Sequence, residues 1–405
     1  MGVNKKLNFH FFAMAALGKG LSGGDRIFIE LARRWSKKYP VTIYVWEEGR
    51  EMCRRQSLVS KRIKYKVWRM KYWGRLGFVI CYLARVVRAV IESFKLKLKN
   101  KPTTIVYSAS DFWMDSLPGW ILKMRFPNIT WIGTFYLAAP NPFTGFREQG
   151  EIKIPSLKNI VYWLMQQPIY FLIRSWADLV FVTSDPDAKR FPKHNRENRI
   201  VVVRGGVDIS RAREWKSKRV KVSKIYDAVF QGRFHPQKGV VELIDIWRKV
   251  VGEKPKAKLA MIGDGPLMQN VKLKIKNEKL EKNIKLFGYV FDGPKKYRIF
   301  SQSRVFIHPA IYDSGGMSAA EGMVWGLPAV SFDLEALKTY YPKGVLKARI
   351  GDLDDFANKI LTLLEDKKLY RETAEKAVAL VKDYWDWDAR AKDVLGEVKA
   401  YVEKT

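Results

Sequence analysis

Ala228-Val229-Phe230-Gln231-Gly232-Arg233-Phe234-His235-Pro236-Gln237-Lys238-Gly239 carries the first decision about this chain. Ala228–Gln231 is a short uncharged run of strand type, a glycine-bounded loop follows it, and Val240–Val251 then shows helical spacing. Strand, loop and helix in direct succession make half of a βαβ unit, and the pattern recurs downstream. Strand-like runs at Leu259–Ile262, Ile284–Phe287, Val305–Ile307 and Ala329–Phe332 alternate with helical windows at Leu267–Leu280, Lys295–Ser301 and Ser318–Gly326. The runs carry few charges, as parallel strands covered on both faces do.

Upstream the same rhythm is less regular. Lys5-Lys6 followed by Leu7–Leu17 mimics a signal peptide, but Asn8 and His10 interrupt the apolar run. A glycine-rich turn follows at Gly18-Lys19-Gly20-Leu21-Ser22-Gly23-Gly24. Ile27, Leu31 and Trp35 then make a helical stripe, and Val41–Trp46 reads as a strand. That order favours the opening of a nucleotide-binding βαβ unit. Thr104–Ser108, Asn128–Phe135, Leu179–Thr183 and Arg199–Val203 read as further strands, and Leu157–Trp176 as a helix. The expectation is an α/β chain of two doubly wound, Rossmann-like domains facing one another across a cleft. The N-terminal domain covers 1–208 and the second domain 209–385, with one more helix at 386–405. The polar, basic stretch Arg211–Lys224 suits an interdomain segment.

Composition excludes several classes. With 405 residues, 47% apolar and 28% charged, the chain is neither disordered, collagenous nor a coiled coil. Its two cysteines, Cys53 and Cys81, exclude a disulfide scaffold and fit a reducing compartment. Four histidines and two cysteines leave little material for a zinc site. The uncharged stretch 126–146 is broken by Pro127, Pro140 and Pro142, and 159–173 is too short to span a bilayer.

The charge is the outlier: 74 Lys and Arg against 41 Asp and Glu, a net +33, which draws a chain to phosphates. Gly49–Lys101 alone holds sixteen basic residues and two acids, interleaved with Trp68, Tyr72, Trp73, Phe78 and Tyr82. Phe78, Tyr82, Val86, Ala89 and Ser93 recur at about one helical turn, flanked by Arg75, Arg85 and Arg88. The pattern suits a helix lying on an anionic membrane, or a core helix with a basic outer face.

Four strand-to-helix junctions carry chemistry. The Gly232–Gly239 loop presents Arg233 and Lys238, a pair suited to a diphosphate, though the same pair also reads as a solvated basic loop. Ile262-Gly263-Asp264-Gly265-Pro266 is a tight turn with proline at a helix start. Phe287-Gly288-Tyr289 either lets the backbone approach a base or is only a turn. Pro309-Ala310-Ile311-Tyr312-Asp313-Ser314-Gly315-Gly316-Met317-Ser318-Ala319-Ala320-Glu321 places an acid before two glycines that open a helix, with a second acid eight positions on. Amides at that helix start favour an anion.

These motifs, with Gly205-Gly206-Val207-Asp208, resemble in order and interval those of the retaining GT-B glycosyltransferases of family 4. The resemblance covers about residues 200–390 well and the first half thinly. It implies transfer of a sugar from a nucleoside diphosphate sugar (UDP- or GDP-linked) to an acceptor hydroxyl, without cofactor or metal. Arg233 and Lys238 would hold the diphosphate, Asp313 the transferred sugar and Glu321 the ribose. Gly263, Tyr289 and the amides around Gly315, Gly316 and Met317 would line the donor, which Gly23 and Gly24 would approach from the N-terminal domain. Residues 386–405 resemble the family's last helix, which crosses back to that domain. Two departures stand out. Asp313 is one methylene shorter than the family's usual glutamate, and Tyr136 stands where a histidine often lies on the acceptor side.

Asp185-Pro186-Asp187, Asp352-Leu353-Asp354 and Asp386-Trp387-Asp388 fit the D-x-D string of metal-dependent transferases, but each opens a helix, where aspartate is an ordinary cap. The basic segment makes a lipid or lipid-linked acceptor and an anionic membrane surface the expected partners, with the protein cytoplasmic and peripheral on the inner face of the cell membrane. Nucleic-acid binding, or an epimerase or phosphorylase on the same fold, are the competing readings; neither a nucleic-acid motif nor a repeat supports the former.

Overall fold

A computed structural model describes residues 6–16, 21–69, 77–143, 157–217 and 222–405. Gly18, Lys19 and Gly20 of the glycine-rich turn, Tyr72, Trp73 and Arg75 of the basic segment, and residues 218–221 lie outside that description. The chain divides into two compact units. One comprises Met1–Ala139, Ser156–Gly205 and Asp388–Thr405, the other Pro140–Pro155 and Gly206–Trp387.

The first unit is built on a parallel sheet of seven strands: β1 (Asn8–Phe12), β2 (Val41–Trp46), β3 (Ile63–Trp68), β4 (Thr104–Ser108), β5 (Thr130–Phe135), β6 (Leu179–Val182) and β7 (Ile200–Val202). Their spatial order is β3-β2-β1-β4-β5-β6-β7. The second unit holds six parallel strands: β8 (Tyr226–Gln231), β9 (Leu259–Ile262), β10 (Ile284–Leu286), β11 (Ser303–His308), β12 (Ala329–Phe332) and β13 (Val345–Ala348), in the order β10-β9-β8-β11-β12-β13. Both sheets are Rossmann-like: the first strand sits at the centre and the chain reverses direction across the sheet between it and the fourth. The doubly wound α/β expectation holds.

Central strands are buried on both faces. Phe9, Phe11 and Phe12 of β1, and Ala228, Val229 and Phe230 of β8, are all inaccessible to solvent or nearly so. The run Leu7–Leu17 therefore contains a central strand, with Phe9 in register with Val41 and Ile105. The helix Trp387–Lys404 belongs mostly to the first unit, where the Trp35 indole donates to the Ala391 carbonyl at 2.9 Å and Arg34 pairs with Asp388 at 2.8 Å. Two of the three D-x-D strings lie at capped helix starts, the first capped by Ser184 rather than by an aspartate. Ser184 caps Asp185–Ala188 and its hydroxyl donates to Asp187, while Asp352 caps Leu353–Glu365 by accepting from the Asp355 amide at 2.8 Å.

One expectation is corrected. Phe78–Lys95 is a helix, but the stripe Tyr82, Val86, Ala89 and Ser93 faces the core rather than a membrane. Arg85 is buried with it, paired to Glu48 at 2.6 Å and lying over the Trp46 ring. The helix carries a second apolar face, Val79, Ile80, Leu83, Val87, Ile91 and Phe94, which is exposed. Spacing alone does not say which of two apolar faces turns inward. The segment Arg211–Lys224 is also more regular than a linker, since Ile209–Ser217 is helical.

Candidate functional site

Within the second unit, the loops that leave the carboxyl ends of β8, β9, β10 and β11 are knitted together by main-chain bonds. The Gly232 amide donates to Ile262, Phe234 to Asp264, Gly263 to Gly288, and Ile311 to Gln237, all at 2.9–3.0 Å. Two glycines permit this closeness. A Cβ on Gly263 would collide with the Gly232 carbonyl oxygen, and one on Gly239 (φ +61°) with that of Pro309. The sequence motifs thus converge on one edge of the sheet, beside the point where its strand order reverses.

Asp313 is the hub. Its side chain is 9% exposed, and one carboxylate oxygen accepts from Lys238 Nζ at 2.5 Å and lies 3.2 Å from His308 Nε2. The other oxygen accepts from the amides of Ser314, Gly315 and Gly316 at 2.9, 3.3 and 3.2 Å. Burial acts to raise the Asp313 carboxyl, but the neighbouring Lys238 and His308 overcome it and hold the group well below the usual carboxylate range. The Gly315 and Gly316 amides, expected to meet a ligand, are thus occupied by the side chain two or three residues before them. Below this nest, Tyr341 donates to the Gly316 carbonyl at 2.6 Å and accepts from the Ala320 amide at 3.2 Å, fixing the start of the helix Met317–Met323.

Arg233 is exposed and has no ion-pair partner among the described residues. Burial lowers the nearby His235, and the charges of Arg233 and Lys238 add to the effect. Glu321 has one oxygen engaged, accepting from Gln231 Nε2 at 2.7 Å and Lys296 Nζ at 2.6 Å. Lys296 is itself buried and also reaches Asp292 at 2.9 Å. Tyr289 is exposed beside Phe291, their rings edge-on at 4.9 Å, just after Gly288 with φ +66°.

Gly23 and Gly24 begin the helix Gly23–Trp35 in the first unit, behind a capping box in which Ser22 and Asp25 bond each other's backbone amides. Gly24 lies against Tyr136: a Cβ there would stand 3.3 Å from the Tyr136 ring. Tyr136 is buried, its hydroxyl 2.5 Å from that of Tyr107, and burial pushes it well above its ordinary value.

Sequence reasoning missed four polar groups at these sites. Lys296 and His308 hold the two acids of the second unit, and Asp292 four residues before Lys296 was the available signal. In the first unit, burial pushes the Asp111 carboxyl up to about 6 and the Asp115 carboxyl up to about 8. Asp115 accepts from the Met14 amide and from Ser110 Oγ, both at 2.5 Å, and so fixes the chain leaving β1. Gln166 Nε2 donates to Asp111 at 2.5 Å. No periodicity marks these residues.

Residues 212–379, within the second unit, match the family model described as glycosyl transferases group 1. The poly(glycerol-phosphate) alpha-glucosyltransferase of Bacillus subtilis is 26% identical over 166 residues, covering 40% of this chain and 24% of the relative. The sulfoquinovosyl transferase of Arabidopsis thaliana is 27% identical over 165 residues, covering 39% of this chain and 31% of the relative. The matched stretch therefore spans less than a third of either relative. The crystal structure of Anabaena HepE in complex with UDP and glucose superimposes with a TM-score of 0.71 at 15% identity, covering 97% of this chain and all of that one. At that identity the likeness is one of fold: the two Rossmann-like units are those of GT-B structures.

Proposed function

We propose that this chain is a glycosyltransferase that moves a sugar from a nucleoside diphosphate sugar to an acceptor hydroxyl with retention of configuration. The observation that carries the reading is the convergence of Arg233, Lys238, Asp313 and Glu321 at one sheet edge inside the stretch that matches the group 1 model. Exposed Arg233 supplies a fork for the diphosphate, and Lys238 a point charge now neutralised by Asp313. Glu321, held through one oxygen by Lys296 and Gln231, keeps the other for ribose hydroxyls. Gly263 and Tyr289 flank the base side, and the Asp313 loop with Gly315, Gly316 and Met317 meets the sugar. The family resemblance assigns Gly23 and Gly24 of the first unit to the donor and Tyr136 to the acceptor.

Chemically, the leaving diphosphate takes the acceptor's proton as the acceptor attacks from the same face. Arg233 and Lys238 stabilise the negative charge that develops on the departing oxygen, so no metal is required. Retention and metal independence rest on the family resemblance. The basic balance of +33 favours an anionic acceptor, lipid-linked or lipid, met at the inner face of the cell membrane by a cytoplasmic enzyme. The Bacillus subtilis relative named for poly(glycerol-phosphate) supports a polyanionic acceptor.

Calorimetry with UDP, GDP and ADP tests the donor site: one of the three binds to wild type and binds more weakly to Glu321→Gln. Failure of all three removes the reading. Transfer persists in excess EDTA; loss of activity rescued by Mn²⁺ would overturn metal independence.

A further inference from the structure

Apolar residues are exposed unevenly in this molecule. Thirteen of the twenty-three exposed large apolar side chains among the described residues lie on two helices of the first unit, Phe78–Lys95 and Leu157–Trp176. On the first helix, Val79, Ile80, Leu83, Val87, Ile91 and Phe94 fall within a third of a turn of one another at 100° per residue, a continuous outward stripe. On the second, Leu157, Val161, Leu164 and Phe171 recur at intervals of four, three and seven, a stripe of the same kind. Both helices bury their other faces in one core, through Val86 and Ala89 on one and Ile169 and Ile173 on the other.

The two stripes flank a third helix start. The Trp113 amide donates to Tyr82 Oη at 3.4 Å and the Trp113 indole to the Met165 carbonyl at 2.7 Å, while the Phe112 ring, itself exposed, meets the Tyr82 ring edge-on at 6.4 Å. Exposed Phe112 adds an apolar ring at the helix start that touches both helices. The charge around the two stripes is one-sided. Arg88 and Lys95 border the first stripe and already satisfy its only acid, Glu92, and the chain continues into exposed Lys97, Lys99 and Lys101. Arg174 is exposed on the second helix, and so are its aromatic residues Tyr162, Trp163 and Trp176, residue types enriched at membrane boundaries.

We infer that this two-helix face docks on an anionic bilayer leaflet, with both helices lying in the plane of the interface. A partner protein of ordinary acidic surface would satisfy the lysines but not bury so long an apolar stripe; a leaflet of anionic lipid does both. No helix among the described residues is long and apolar enough to cross a membrane, so the contact is one of shallow insertion. The proposal deepens the reading of a membrane-borne acceptor and rests on it for its purpose: it fixes which surface of the first unit faces the lipid.

Flotation of the full chain with phosphatidylcholine vesicles, with and without a quarter phosphatidylglycerol, tests it. Wild type floats with the anionic vesicles and loses at least tenfold in partition between 0.1 and 0.5 M salt. Leu83→Glu with Val87→Glu, and separately Leu164→Glu with Phe171→Glu, each cost at least tenfold in partition. Leu273→Glu, on an exposed position of the second unit, binds as wild type. The altered residues are solvent-exposed, so melting temperatures stay within about 2 °C, as surface substitutions do. Wild type that ignores anionic vesicles, or double variants that float as wild type does, overturns the proposal. So does a wild-type dimer in light scattering that these variants dissociate without changing flotation. Flotation without nucleoside diphosphate binding would support the surface and remove the transferase reading, whereas nucleotide binding without flotation overturns the surface alone.

Discussion

Replacing Asp313 by asparagine separates two effects that the site couples. The carboxylate is 9% exposed, sits 2.5 Å from Lys238 Nζ, and accepts three amides through its other oxygen. An asparagine preserves the shape and can still accept those amides, but it leaves Lys238 without its counter-charge. Removing one member of a buried pair costs roughly 3–5 kcal/mol. Lys238 is 20% exposed and regains some water, so about 2–3 kcal/mol is the expected loss. For a unit of this size that is a fall in Tm of about 4–12 °C. The folded carboxyl lies below its unfolded value of about 3.9, so its contribution is complete above that value and is lost as pH falls through the folded one. The carboxyl's own protonation therefore narrows the gap between wild type and variant only in strong acid. Nucleoside diphosphate affinity moves the other way: Lys238 no longer has a competing carboxylate, and one anionic charge leaves the donor's neighbourhood. A gain of about 1.4 kcal/mol, tenfold in Kd, is the expected order. Transfer slows, because the group assigned to the sugar has lost its charge. Scanning calorimetry and titration calorimetry on the same preparation give both numbers. An unchanged Tm together with weaker nucleotide binding would refute the reasoning, because the carboxylate would then be contacting the nucleotide instead of restraining Lys238.

Three further outcomes follow from the same geometry. Arg233→Ala, at an exposed position, leaves Tm unchanged but lowers the transfer rate on the order of 10²-fold, read from initial rates at saturating donor. Gly239→Ala drives a Cβ into the Pro309 carbonyl at φ +61° and destabilises the second unit by more than about 2 kcal/mol, visible as a lowered urea midpoint. Asp115→Asn keeps both of its bonds and removes a titration. The wild-type carboxyl is pushed up to about 8 from an unfolded value of about 3.9, so wild-type stability falls as pH rises between the two. The variant melts several degrees higher than wild type at pH 8, and the advantage shrinks towards pH 4.

The sequence was most readable where burial is symmetric. β8, β9 and β12 lie inside a covered sheet, so their short uncharged runs stand out and their limits came within two residues. β3 and β13 were overlooked for the opposite reason. At the sheet edge Ile63, Tyr65 and Val67 alternate with Lys64 and Lys66, and Lys347 interrupts Val345–Ala348, so both stretches look like basic surface. Lysines on an exposed edge also discourage pairing with another chain. Glycines at the site were legible because tight turns restrict the choice of residue, as at Gly239 and Gly263. The partners of the acids were not. Whether Asp313 faces a ligand or its own following amides depends on loop geometry, and Lys296 differs from Lys295 only in the direction its helix turns it.

The return of residues 388–404 to the first unit has a consequence for biosynthesis. The hydrogen bond from Trp35 to Ala391 joins positions 356 residues apart. At roughly 5–20 residues per second, the ribosome needs some 20–70 s to deliver the second partner after the first. During that interval the first sheet can form while the side of the helix Gly23–Trp35 that receives Ala391 stays uncovered. The second unit, Pro140–Pro155 with Gly206–Trp387, has its last residue made just before that partner. The N-terminal half, although synthesised first, is thus the half completed last. A stop codon ahead of residue 388 would damage the part of the protein most distant from it in sequence, leaving an intact second unit tethered to an unfinished, protease-sensitive first one.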